Sequence, residues 1–208
     1  MKKIFLFFAA VVMTAGVLSA QDINQATEAY NNGAMELQMG NNSAALENFL
    51  SALTMGEALG DEGADLVTNC KKAICSVKLS MAKDLYNAKD FDGAIAAFQE
   101  AQKVADEYGE PDLAAEAADL IGQTEMLKLN TEGKAAMKAK DYPTAIACFA
   151  KVLEMDPANG ATAIQLGQAY VNAGQLDEAV TALETAKANG QETNANKLLS
   201  NVYLKKAQ

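Results

Sequence analysis

The chain has 208 residues, with 17 lysines, 27 acidic residues, no histidine, no arginine, no tryptophan and a formal net charge of −10. This composition excludes Ser–His and Cys–His nucleophile pairs, imidazole metal ligands and bidentate arginine contacts to phosphate. An acidic chain without a basic patch also argues against nucleic acid as a partner, because affinity for nucleic acid depends on neutralising phosphates. The length fits one domain with a sizeable core.

The first twenty residues have the layout of a secretory signal peptide, with Lys2 and Lys3, an uncharged apolar run over 4–18, and a small residue, Ala20, at the cut. The alternative is a retained membrane anchor, although the run is at the short edge for spanning a bilayer. Cleavage removes two lysines and changes the net charge from −10 to −12. We expect an exported protein, in a bacterial periplasm or outside the cell, with no integral membrane segment after cleavage.

After residue 21, apolar residues recur every three or four positions, which is typical of amphipathic helices, and no stretch alternates as a strand does. Short polar turns separate these stretches, and they contain asparagine or aspartate for helix N-caps and glycine for helix ends. Short turns between helices predict antiparallel neighbours. The sequence therefore predicts an all-α fold.

Three cysteines, Cys70, Cys75 and Cys148, are an odd number for an exported protein. On one helix, Cys70 and Cys75 would lie about 8.6 Å apart on different sides of the axis, beyond the reach of a disulfide. Cys148 falls a whole repeat away. We expect buried thiols that act as small hydrophobes, and we expect no metal site.

Internal repetition is the next feature. Four segments align on an alanine followed four residues later by an aromatic residue or leucine, and the alanines are 49, 51 and 34 residues apart. The aligned pairs are Ala45 and Phe49, Ala94 and Phe98, Ala145 and Phe149, and Ala179 and Leu183. Each copy would bury its apolar face only by stacking on its neighbours.

The last copy, with Leu166-Gly167-Gln168-Ala169-Tyr170 and then Gly174, Ala179 and Ala186, resembles a tetratricopeptide repeat (TPR). The third copy adds Gly133, Tyr142 and Pro157, and the first adds Gly33 and Gly40, whereas in the second Ala82 replaces the helix-A glycine. No copy has the tryptophan that the family places on its first helix, helix A. The resemblance implies an all-α, right-handed TPR-like helical solenoid.

The implied copies are about 24–58, 62–109, 112–157 and 160–191, followed by a capping helix over 193–207. The extra residues in copies two and three read as N-terminal extensions of helix A, which would make Ala64 to Ala88 one helix about 37 Å long. The alternative is a break near Ser76 or Gly122, which would give separate short helices.

No catalytic constellation accompanies the repeats, so we expect no enzyme activity and no cofactor. The carboxylates lie where solvated helix faces would place them, with no apolar pocket to separate their pKa values. Gly-rich phosphate loops and the Gly-x-Ser-x-Gly and His-Glu-x-x-His motifs are absent from the sequence. The acidic loop 61–65 lacks the ligand spacing of an EF-hand calcium site.

The resemblance implies a concave groove lined by helix A, where TPR proteins hold extended or helical peptides. Side-chain amides there can bond a peptide backbone, and lysines can meet an acidic group. The polar candidates for groove residues are Asn31, Lys83, Asn130, Lys134, Gln165 and Gln168. We expect a non-enzymatic, exported interaction module for a partner peptide or helix. The alternative is a self-associating scaffold of the cell envelope, and a third hypothesis is an enzyme or carbohydrate-binding subunit.

Overall fold

The computed structural model describes residues 20–208, and every regular element in that range is helical. The all-α prediction is therefore confirmed. The signal-peptide prediction for 1–20 falls outside the described residues, apart from the backbone of Ala20. The helices are α1 (Ala20–Gln38), α2 (Asn42–Ala58), a 3₁₀ turn (Gly60–Gly63), α3 (Ala64–Asn87), α4 (Phe91–Tyr108), α5 (Pro111–Ala139), α6 (Tyr142–Met155), α7 (Gly160–Ala173), α8 (Leu176–Ala188) and α9 (Glu192–Lys206).

Helices α3 and α5 have 24 and 29 residues, so neither is broken at Ser76 or Gly122. A single glycine inside a helix costs about 1 kcal/mol relative to alanine, which the rest of a long helix easily offsets. The extended helix A of copies two and three is thus a feature of the fold.

The chain divides into two compact units, and the boundary between Val77 and Lys78 falls within α3. In the first unit, α1 packs against α2. Phe49 of α2 is 1% exposed, and its ring centroid lies 5.2 Å from that of Tyr30 on α1. Added to Gly33, a Cβ would lie 2.9 Å from the Phe49 ring, so this glycine lets the two helices approach.

In the second unit, each helix from α4 to α9 packs against its neighbour in sequence, as expected for stacked helical hairpins. Phe149 of α6 is fully buried and packs against α5, where a Cβ on Gly133 would lie 2.6 Å from the ring. The same ring belongs to a core cluster with Leu166 and Ala169 of α7 and Ala182 of α8. Phe149 therefore fills space inside the α5–α6 hairpin and also between that hairpin and the α7–α8 hairpin.

Several helices begin at an N-cap side chain or end at a left-handed glycine. Asp90, Asp141 and Asn159 cap α4, α6 and α7, and their side-chain oxygens accept hydrogen bonds from backbone N–H groups at 3.0 Å, 3.3 Å and 3.0 Å. Gly109 and Gly174 end α4 and α7 in the left-handed conformation. The caps fix where each helix begins, and therefore which side chains share a face.

The three cysteine side chains are buried, as the sequence predicted. Burial raises the pKa of Cys70 to about 11, and it also raises the pKa of Cys148. Cys70 and Cys148 therefore have little thiolate character at neutral pH and are poor nucleophiles.

Candidate functional site

A cleft of about 410 Å³ opens between α5 and α7 in the second unit, and we call it the α5–α7 cleft. Phe149 of α6 contributes to its wall from the core. Three of the lining residues, Lys134, Met137 and Lys138, belong to α5, and Met137 and Lys138 follow Lys134 by three and four positions, which places all three on one face of that helix. The lining residues are Lys134, Met137, Lys138, Phe149, Ile164, Gln165 and Gln168.

Three of the six groove candidates, Lys134, Gln165 and Gln168, meet in this cleft. Lys134 comes from the third repeat and both glutamines come from the fourth, so the convergence depends on the packing of α5 beside α7. Copies three and four are consecutive, and their first helices share the buried cluster around Phe149. The stacking of hairpins therefore creates the cleft.

The positive charge of the cleft comes from Lys134 and Lys138, one helical turn apart. Both side chains are exposed, and neither has an ion pair within residues 20–208. Helix α7, which forms the facing wall, contains no charged residue. No carboxylate lines the cleft in the described part of the chain, so it has a local excess of positive charge in an acidic protein.

The side-chain oxygen of Gln165 is the exceptional atom of the cleft. This Oε1 is buried and accepts no hydrogen bond from any residue that the structure describes. Buried polar atoms in proteins almost always have a hydrogen-bond partner, so an acceptor without one points to a missing donor. Beside it, Gln168 donates a hydrogen bond from Nε2 to Oδ1 of Asn172 at 3.0 Å, which holds the second amide in place.

A second cleft, of about 430 Å³, lies between α7 and α9 and shares Gln168 with the first. We call it the α7–α9 cleft. Among the described residues that line it, Lys205 has the only charged side chain, and Val171, Leu198 and Leu204 supply apolar surface. The two clefts are therefore neighbours along the faces of α5, α7 and α9.

The other three candidates lie elsewhere. Asn31 is exposed on α1 in the first unit. Lys83 of α3 forms an ion pair with Glu116 of α5 at 2.7 Å. Oδ1 of Asn130 accepts a hydrogen bond from the buried Thr162 hydroxyl at 3.3 Å, which joins α5 to the start of α7. These three side chains do not line the α5–α7 cleft.

Lys138 and Met137 are not among the predicted groove residues. Lys138 follows Lys134 by four residues, and that spacing on a helix was the available signal. A further cleft of about 620 Å³ is lined by Tyr86, Phe91 and Leu127, among others, and contains none of the candidates. The α5–α7 cleft therefore contains three of the six predicted groove residues together with Met137 and Lys138.

A metal centre has no support in the part of the chain that the structure describes, where no three or more potential ligand side chains gather. Similarly, none of the helices within 20–208 combines the length and apolar character needed to cross a bilayer. The chemistry that the described clefts offer is therefore hydrogen bonding, charge pairing and apolar contact.

Comparison with known families bears on the second unit. A tetratricopeptide repeat model matches residues 136–202, which span the end of α5 and most of α6 to α9. This segment is therefore similar to tetratricopeptide repeats over about a third of the chain. The match includes Gln165 and Gln168, and it begins two residues after Lys134. The matched segment thus contains all the residues that line the α5–α7 cleft except Lys134.

Several solved structures are similar to this chain. The C-terminal TPR-containing domain of an FK506-binding protein from Plasmodium falciparum is 24% identical, with a TM-score of 0.41, covering 67% of this chain and 94% of its own. MamA from AMB-1 is 19% identical, with a TM-score of 0.34 and coverages of 88% and 84%. Yeast Tom70 is 16% identical, with a TM-score of 0.38 and coverages of 91% and 44%. No curated protein matches the sequence.

Proposed function

We propose that this protein is a non-enzymatic interaction module that holds an extended, acidic peptide segment of a partner protein in the α5–α7 cleft. The observation that carries the proposal is the buried Gln165 Oε1 without a donor, placed beside two unpaired lysines. A rotation of the Gln165 side chain towards the cleft would bring Oε1 within reach of an extended peptide, whose backbone N–H groups could then donate to it. An aspartate or glutamate on the same peptide would meet Lys134 or Lys138.

The energetics favour such a ligand. Satisfying a buried acceptor recovers the cost of leaving it unpaired, about 1–3 kcal/mol. Hydrogen bonds to charged groups are stronger than neutral ones, although exposed lysines would contribute less than buried ones. Because the cleft walls are preformed helices, binding would order little of the receptor, which preserves affinity.

Gln165→Leu provides the sharpest test, because the proposal predicts opposite signs for stability and binding. Removing an unsatisfied buried oxygen should raise the free energy of unfolding by about 1 kcal/mol. The same change should weaken the binding of peptides selected from a random library on the unmodified protein. If Gln165→Leu raises stability and leaves the affinity for those peptides unchanged, the cleft is not where they bind.

Charge is tested by Lys134→Glu combined with Lys138→Glu. We expect selected peptides to be rich in aspartate and glutamate and to lose at least tenfold in affinity for this variant. Lys151→Glu, on an exposed position of α6, is the matched control and should bind normally. Crosslinking pull-down from the cell-envelope fraction with the same variants would then separate cleft-dependent partners from others.

We also propose that the protein is exported, on the basis of the signal-peptide pattern in residues 1–20 alone. The protein recovered from the periplasmic or extracellular fraction should begin at Gln21 when its N-terminus is sequenced. Recovery of the protein from the cytoplasm with residues 1–20 retained would contradict this proposal. The result would leave the proposed binding site unaffected.

A further inference from the structure

The most exposed large apolar side chains in residues 20–208 lie at the two ends of the described chain. Met35 and Met39, in and just after α1, are 57% and 58% exposed, and Tyr203 and Leu204 of α9 are 52% and 65% exposed. The remaining exposed large apolar residues lie between 37% and 41%. Helix α1 packs against α2 in the first unit and α9 packs against α8 in the second. These neighbours do not cover Met35, Met39, Tyr203 and Leu204.

The outward face of α1 combines this apolar surface with one exposed carboxylate, that of Glu28. Glu28, Asn31, Met35 and Met39 are all exposed and follow one another at helical spacing. They lie opposite the buried Ala26 and Gly33. Residues 20–70 contain no lysine, and their eight acidic residues are Asp22, Glu28, Glu36, Glu47, Glu57, Asp61, Glu62 and Asp65.

Helix α9 has the opposite charge. Its charged residues are Glu192, Lys197, Lys205 and Lys206, an excess of two positive charges in a chain whose net charge is −10. Lys206 is paired with Asp177 of α8. Lys197 and Lys205 are exposed and have no ion pair in the described residues, and they lie on the same helix as Tyr203 and Leu204. This end therefore offers cations and apolar surface together.

We propose that the outward face of α1 in one copy, which belongs to the acidic, lysine-free segment 20–70, docks on α9 of a second copy. Two copies of a strongly acidic protein repel each other across most of their surfaces, so self-contact is favoured where one partner has excess lysine. Met35 and Met39 would pack on Tyr203 and Leu204, because thioether sulfur packs well on aromatic rings. Glu28 would face Lys197 or Lys205.

Such a contact joins two different surfaces, so it is heterologous rather than two-fold symmetric. Each added copy leaves one acidic end and one cationic end unoccupied, which allows rings or open chains to form. A stable interface needs about 800 Å² from each partner. One helix face on each side would bury an area near the lower limit for stable interfaces. The association should therefore be reversible and concentration-dependent.

The contact is independent of the peptide cleft, because none of the α1 residues lines that cleft. Leu204 and Lys205 line the neighbouring α7–α9 cleft, and neither they nor Tyr203 line the α5–α7 cleft. Failure of the self-association would therefore leave the proposed peptide binding untouched, and the reverse also holds.

The test uses one variant at each end of the full chain. Met35→Lys with Met39→Lys disables the acidic end, and Leu204→Glu with Lys205→Glu disables the cationic end. All four side chains are exposed, so both variants should fold, which far-UV circular dichroism checks. Lys151→Glu is the matched surface control. Sedimentation equilibrium and light scattering report the mass of each protein and of their mixtures.

We expect the unmodified protein and Lys151→Glu to gain mass with concentration, and each end variant alone to remain monomeric. An equimolar mixture of the two variants should form a one-to-one pair and grow no further, since each supplies the intact end that the other lacks. A monomeric unmodified protein at all concentrations, self-association of either variant, or no pairing in the mixture would each overturn the proposal.

Discussion

Gly133 and Gly122 lie in the same helix, α5, but differ in what surrounds them. A Cβ built on Gly133 would lie 2.6 Å from Cε1 and 2.9 Å from Cζ of Phe149, whereas a Cβ on Gly122 would meet no atom within 4 Å. Carbon atoms in contact normally lie about 3.5–4.0 Å apart. Substituting alanine at the two positions therefore compares the same chemical change with and without a steric clash.

Two opposing effects set the change in the free energy of unfolding at each glycine. Glycine to alanine in a helix interior stabilises by about 0.5–1 kcal/mol, and this gain is common to both variants. Overpacking a filled core costs about 1–3 kcal/mol, and the Phe149 ring is fully buried, with little room to shift. Gly122→Ala should therefore be more stable than the unmodified protein, and Gly133→Ala less stable than Gly122→Ala by about 1–3 kcal/mol.

Urea unfolding followed by circular dichroism measures both variants, and both positions lie in the second unit, so the same transition applies. Because Phe149 also lines the α5–α7 cleft, Gly133→Ala should weaken peptide binding more than Gly122→Ala does. Equal stabilisation by the two substitutions would refute the argument that helix approach at Gly133 requires glycine.

Three further predictions concern caps, turns and thiols. Asn159→Ala should destabilise by about 1 kcal/mol in urea unfolding, and Gln175→Ala, whose side chain makes no cap hydrogen bond, should cost clearly less. Lys140 ends α5 at a φ of 61°, so Lys140→Gly should stabilise by up to about 1 kcal/mol, while Gly174→Lys at a φ of 79° should destabilise. Burial raises the pKa of Cys70 from 9.0 to about 11, which favours the protonated thiol in the folded state. Its contribution to stability is therefore present below pH 9.0 and lost towards about 11, and iodoacetamide at pH 8 should label Cys70 only when unfolding exposes it. Fast labelling of the folded protein at pH 8 would contradict that prediction.

The sequence predicted the packing positions because small and aromatic residues at fixed spacing have a direct steric meaning. Gly133 and Phe149, and Gly33 and Phe49, meet as the repeat pattern implies. Gly122 is also a glycine of α5, but it packs against no neighbouring helix. The sequence alone was compatible with a helix break at this position. Spacing distinguishes the two glycines only when the partner on the next helix is also identified.

The candidate site was predictable only in part, for a geometric reason. Assigning groove positions by repeat register places equivalent residues on equivalent faces, but it ignores what the longer helices bring with them. The N-terminal extension of α5 carries Glu116, which pairs with Lys83 at 2.7 Å. Thr162, near the start of α7, similarly engages Asn130. Register finds the face, whereas the neighbouring side chains decide which members of it are available.

The net charge of the whole chain and the charge inside the α5–α7 cleft have opposite signs. A chain with net charge −10 repels an acidic peptide at long range, which taken alone argues for a basic partner. At physiological ionic strength this repulsion is screened beyond about 8 Å, so it acts mainly on the rate of approach. Within the cleft, Lys134 and Lys138 face the uncharged helix α7, and their contribution acts at contact distance. An acidic ligand would therefore approach slowly and be held by local contacts, and competing acidic surfaces without the matching backbone donor for Gln165 would be rejected.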